Sequence, residues 1–136
     1  MSNKLFSLAK TSLGTLLVSL GFTTPLSKIL PIKKVYEDEM VLAFWHPKPF
    51  WEQHIVIVPK KKVLNLDEAK DTDFELIGHV CKVAAKVIND LNLKAPGYRL
   101  LTNGGKYQKV HYLHFHLGAG KQIQVDEDGS SNSLPA

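Results

Sequence analysis

KVHYLHFHL, residues 109–117, alternates apolar and chemically active side chains with a period of two. That is the pattern of a β-strand with two unlike faces. On a regular strand Tyr112, His114 and His116 share one face, and His111 falls on the other with Leu113, Phe115 and Leu117. Two histidines at i and i+2 stand about 6–7 Å apart along a strand, so both imidazoles reach one ligand. Three roles fit that spacing. A metal site built from His54, His114 and His116 suits zinc, copper or iron. In phosphate chemistry a neutral imidazole attacks phosphorus while neighbouring imidazoles and backbone N–H groups hold the oxygens. The third role is an exposed edge strand with no chemistry.

Upstream of this strand, NGGKYQ (103–108) is a loop whose two glycines let an anion approach the backbone, and YRLLT (98–102) is a strand. Before it Thr72-x-x-Glu75 has the form of a capping box. Phe74, Ile77, Cys81, Ala84, Ile88 and Leu91 then recur at helical spacing, which predicts a long amphipathic helix over 73–91 with Cys81 in its core stripe. Pro96-Gly97 marks the stop beyond it. HIVIV (54–58) is a β-branched strand ending at Pro59, the loop HPKPFWEQ (46–53) precedes it, and KKVYE (33–37) and MVLAFW (40–45) form a hairpin turning at Asp38-Glu39. Strand, strand, strand, helix, strand, strand without recurring alternation predicts α+β with an antiparallel sheet. Of the remaining histidines, His111 reads as a core or interface residue and His79 as structural.

At 136 residues the chain has the length of one domain. One cysteine excludes an internal disulfide and a CxxC zinc site. The net charge of +4 is uneven: residues 1–36 carry five lysines and no acid, and the remainder is nearly neutral. Every basic residue but Arg99 is lysine, which disfavours sequence-specific nucleic-acid recognition. Residues 1–21 are expected to form an amphipathic helix, through Leu5, Leu8, Leu13, Leu16 and Leu20, or a targeting-like extension. The uncharged run 11–24 is too short and polar to span a bilayer. Residues 22–122 form the domain, and 123–136 are a polar tail expected to be disordered.

YEDEMVLAFW, HIVIVPKKK, the long helix, GYRLLTNGG and QKVHYLHFHLGAGKQ, in that order, resemble the histidine-triad (HIT) superfamily, and most of all its Hint branch of purine nucleoside phosphoramidases. The likeness runs from about Phe22 to Gln122. It implies a HIT fold with about five antiparallel strands, one long helix packed on them and, here, an extra N-terminal helix. In the family motif His-φ-His-φ-His-φ-φ, His114 matches the nucleophile and His116 the last triad position, while Tyr112 replaces the first histidine. His54 matches a separate histidine near the phosphate. Asn103 and Gln108 match polar site residues, and Phe22 and Phe44 match apolar residues around the base. His46 stands where the family usually has the ribose-binding Asp, and Lys109 where it has a phosphate-contacting Ser. The Trp-Pro tail of the branch is absent.

The resemblance implies a nucleotide-binding hydrolase or transferase. It would cleave a nucleoside phosphoramidate or related nucleotide at the α-phosphorus through a nucleotidyl-histidine on His114. His116 and His54 would assist at the phosphoryl oxygens, and no metal or cofactor would be required. Phe22, Phe44, His46, Asn103, Gln108, Lys109 and Tyr112 would line the substrate. The implied partners are a purine nucleotide and a second copy of the chain, in the cytoplasm, with residues 1–21 available to a membrane surface or organelle import. The alternative is a non-catalytic HIT-like nucleotide-binding protein tethered to a membrane or partner by its N-terminal helix.

Overall fold

The computed structural model describes residues 32–124 and Pro135. The N-terminal helix expected over 1–21, Phe22 and most of the 123–136 tail lie outside them. The strands are β1 (Lys34–Glu37), β2 (Val41–Trp45), β3 (Trp51–Pro59), β4 (Tyr98–Leu101) and β5 (Phe115–Gln122), with helix α1 (Asp71–Asp90) between β3 and β4. They form one antiparallel sheet in the order β1-β2-β3-β5-β4. Among the described residues no helix is long and apolar enough to cross a membrane.

Both faces of the central strands are buried, and strand alternation sorts their side chains into two clusters. Val41, Ala43, Ile55, Ile57, Phe115 and Leu117 pack under α1 with Leu76, Val80, Val83 and Val87. Leu42, Phe44, Val56, Val58 and Tyr112 form a second cluster on the opposite face. His54 and His116 alternate with Ile55 and Leu117, so they share that opposite face. The β1–β2 turn tolerates Asp-Glu because the Asp38 carboxylate accepts the N–H groups of Met40 and Val41, each at 2.8 Å. A side-chain acceptor of this kind organises a turn without glycine.

Several local expectations are corrected. The helix begins at Asp71, two residues before the predicted start, and Thr72-x-x-Glu75 does not cap it: Asp73 instead accepts the Lys70 N–H at 2.9 Å and pairs with Lys61. The buried stripe is Leu76, Val80, Val83, Ala84 and Val87, rotated about one position from the predicted one. Phe74 and Cys81 are exposed, because apolar residues occupy both flanks of the helix and period alone did not choose between them.

The last strand begins at Phe115 rather than Lys109. In the register Ile57↔Phe115, the next positions would bring Pro59 opposite Leu113, and proline has no N–H for the ladder. The Leu113 N–H turns away to the Val63 carbonyl at 2.7 Å. At its other end β5 runs on to Gln122 because β3 starts three residues earlier than predicted and supplies a partner through Trp51↔Gln122. A register shift there accommodates Gly120, at φ +81°. Since 110–112 are bends and 113–114 are irregular, His111 leaves the face expected for it and is exposed.

Candidate active site

Two adjacent strands and one loop bring four imidazoles together. His54 on β3 and His116 on β5 sit diagonally, two ladder positions apart, since Val56 is the partner of His116 and Gly118 that of His54. His54 Nε2 and His116 Nδ1 are 2.8 Å apart. His114, one residue before β5, has its ring 5.0 Å from that of His116, edge to face. His46, in the loop after β2, stacks on His54 with centroids 4.2 Å apart and planes 27° from parallel. His54, His114 and His116 are buried.

Backbone partners, whose roles as donor or acceptor are fixed, assign the protons on these rings. The Phe50 N–H donates to His54 Nδ1 at 2.9 Å, so the proton of neutral His54 is on Nε2 and is donated to His116 Nδ1. The proton of neutral His116 is therefore on its Nε2. The Lys48 N–H donates to His46 Nδ1 at 3.0 Å, which leaves the His46 proton on Nε2 as well. His114 is the reverse. Its Nδ1 is 2.6 Å from the Tyr112 carbonyl and must donate to it, so the lone pair of neutral His114 is on Nε2. In the neutral rings Nε2 thus carries the proton on His46, His54 and His116 and the lone pair on His114.

Electrostatics reinforces the neutral state. Burial, followed by the neighbouring His46 and His116, lowers His54 to about 2. Burial, then His114, lowers His46 to about 4. One ring nitrogen from each of His46, His54 and His116 lies within 4.8 Å of the others, a spacing a metal ion would accept. The donor set does not fit one. A ligating histidine gives its lone pair to the metal and its other N–H to an acceptor, whereas His46 and His54 each have Nδ1 filled by a backbone N–H. The nitrogen left on each ring, Nε2, carries a proton; that of His54 goes to His116, and that of His46 suits an anion.

The other predicted residues divide. Phe44 is fully buried in the apolar cluster below the imidazoles, with Tyr112 beside it. The Tyr112 hydroxyl donates to the Pro59 carbonyl at 2.8 Å, and burial raises its pKa to about 12. Gln108 is buried and its amide donates to the Leu64 and Val110 carbonyls. Asn103 donates to the Pro135 carbonyl at 2.6 Å. Lys109 is exposed. The glycine loop closes as a short 3-10 turn over Gly105–Tyr107, with Gly105 at φ +58°.

Sequence reasoning missed the support around the cluster. Trp51 is buried with its ring edge on to His54, centroids 4.9 Å apart. It lies across Gly118, where an added Cβ would overlap the indole. Thr102 holds the strand end by donating to the His114 carbonyl at 2.7 Å. The glycine two residues past His116 was the available signal for the Trp51 contact; the backbone donors at Lys48 and Phe50 left no signal in side-chain pattern.

Comparison with known proteins places this arrangement. The model of the HIT domain matches residues 28–123. An uncharacterised HIT-like protein of Rickettsia prowazekii is 32% identical over 105 residues, covering 75% of this chain and 88% of that protein. A HIT family hydrolase from Clostridium thermocellum superposes with TM-score 0.66 at 34% identity, covering 75% of this chain and 90% of its own. A hypothetical histidine triad nucleotide-binding protein from Sulfolobus tokodaii superposes with TM-score 0.58 at 31% identity, covering 77% and 71%. With the family model spanning most of its length and relatives above 30% identity over three quarters of it, the chain belongs to the HIT domain family.

Proposed function

We propose that this chain is a nucleotide-binding hydrolase or transferase, nearest the Hint branch of the HIT family, that cleaves a nucleoside phosphoramidate or related nucleotide at the α-phosphorus. The observation that carries the reading is the 2.6 Å bond from His114 Nδ1 to the Tyr112 carbonyl. It puts the His114 lone pair on Nε2 and holds the ring at one orientation, as an activated nucleophile requires. His114 Nε2 attacks phosphorus. The bond from phosphorus to the leaving amine breaks, and the amine takes a proton from solvent, which the attacking water later restores. Water then attacks the nucleotidyl-histidine, releasing the nucleoside monophosphate and returning the nitrogen lone pair.

His116 donates from Nε2 to a phosphoryl oxygen. His54 holds His116 in that tautomer through its own Nε2–H, and the Phe50 N–H holds His54. Such preorganised donors stabilise charge that develops in the transition state. Phe44 backs the apolar side toward the base from within its cluster. The known relatives support the reading in kind, since one is described as a hydrolase and another as nucleotide-binding. We also propose a homodimer, supported by the exposed Phe74–Cys81 flank of α1 and the four-residue edge strand β4. A cytoplasmic location, with residues 1–21 free to meet a membrane surface, completes the proposal.

The test is trapping with radiolabelled adenosine phosphoramidate and mapping of the acid-labile label. Label is expected on His114. His114→Ala should abolish turnover while nucleotide affinity stays within about tenfold, roughly 1.4 kcal/mol, and the exposed His111→Ala should match wild type. Turnover surviving in His114→Ala overturns the mechanism. The second reading, a non-catalytic nucleotide binder, is favoured by Tyr112, whose hydroxyl is committed to the Pro59 and Lys60 carbonyls and extends no imidazole chain. Binding by wild type without turnover would establish it.

A further inference from the structure

We propose that His46 determines specificity by donating a hydrogen bond to a ligand oxyanion, so that this part of the site selects a phosphate group and not the vicinal diol of a sugar. Three observations lead there. The Lys48 N–H fills His46 Nδ1 at 3.0 Å, so the ring has only a donor left, at Nε2. The ring stacks on His54 at 4.2 Å, and His54 is capped in the same way by Phe50 and points its own Nε2–H at His116. The His46 and His116 rings are 5.9 Å apart, and ring nitrogens of all three converge within 4.8 Å. An oxyanion bound beside His116 is therefore within reach of the His46 ring.

The chemistry of recognition follows from the sign of the group. A vicinal diol offers two O–H donors and is best met by an acceptor, a carboxylate above all. His46 offers none at its inward nitrogen. An N–H donating to a charged phosphate oxygen makes a charge-assisted bond, about twice as strong as a neutral one. Among the described residues no carboxylate joins the imidazole cluster. Burial keeps His46 neutral at pH 7, so its contribution is a directed bond and not a diffuse positive charge.

This inference takes from the preceding reading only that an anion binds beside His116, and its test needs no turnover. Calorimetry would measure binding of inorganic phosphate, adenosine 5′-monophosphate and 2′,3′-dideoxyadenosine 5′-monophosphate to wild type, His46→Ala, His46→Gln and His46→Asp, each first checked for a cooperative thermal transition. Wild type should bind the two nucleotides within about threefold of each other. His46→Ala should weaken inorganic phosphate about tenfold. His46→Gln, whose amide N–H stands where Nε2–H stood, should recover most of that loss, which a purely structural role for the ring would not predict. His46→Asp should lose phosphate further and favour the ribonucleotide. A wild-type preference of more than tenfold for the ribonucleotide, or phosphate affinity unchanged in His46→Ala, overturns the proposal. Phosphate binding that follows this order in a protein without turnover would sustain His46 as the donor while the hydrolase reading fails.

Discussion

Lowering the pH from 7 to 5 should destabilise this protein through the imidazoles of His46 and His54, and His54→Asn should remove about half of that effect. In the folded chain His54 titrates at about 2 and His46 at about 4, against about 6.5 for an unfolded histidine. Folded values below the unfolded one mean that the unfolded chain binds more protons. The stability is thus whole above pH 6.5 and falls as pH drops toward 4 for His46 and toward 2 for His54. Between pH 7 and 5 each ring loses about 2 kcal/mol, so the pair loses about 4. That is a large share of the roughly 5–15 kcal/mol of an ordinary domain. Asn at position 54 keeps an acceptor for the Phe50 N–H and does not titrate. Urea unfolding followed by Trp45 and Trp51 fluorescence at both pH values gives the comparison, and groups common to both proteins cancel in the difference. A wild type equally stable at pH 5 and pH 7, or an equal pH loss in His54→Asn, would refute the assignment of these rings as neutral.

Gly118→Ala should lose about 1–3 kcal/mol or more, because its Cβ would overlap an indole that is only 3% exposed and has no room to withdraw. A variant with the wild-type urea midpoint would show that Trp51 is not wedged there. Tyr112→Phe should lose about 1–3 kcal/mol, since it removes the donor to the buried Pro59 carbonyl. An unchanged midpoint would mean that water replaces the hydroxyl.

The β-branched run after His54, the period-two pattern around His116 and the blocks between them were enough to anticipate an antiparallel α+β sheet with one long helix. Those signals are local: alternation, β-branching and glycine or proline punctuation act within a few residues. The same patterns stopped short where two answers had equal period. Helix α1 has apolar residues on adjacent flanks, and only packing against Ile55, Ile57 and Leu117 selected Val80, Val83 and Val87 over Phe74 and Cys81. The last strand moved by six residues at its start because its partner strand ends at Pro59, a fact about a residue more than fifty positions away.

For the site, the sequence by itself determined which residue types were present: two histidines at i and i+2, a third in another strand, and a fourth in a proline-flanked loop. The tertiary structure decided what each of them is. An imidazole's chemistry depends on which nitrogen carries the proton, and that is set by the group at the other nitrogen. Here those groups are the backbone N–H of Lys48, the backbone N–H of Phe50 and the carbonyl of Tyr112. Every residue has a backbone donor or acceptor whatever its side chain, so no pattern of residue types distinguishes these three; only the folded path of the chain brings them against the rings, leaving the lone pair of His114 on Nε2 and a proton on Nε2 of the other three.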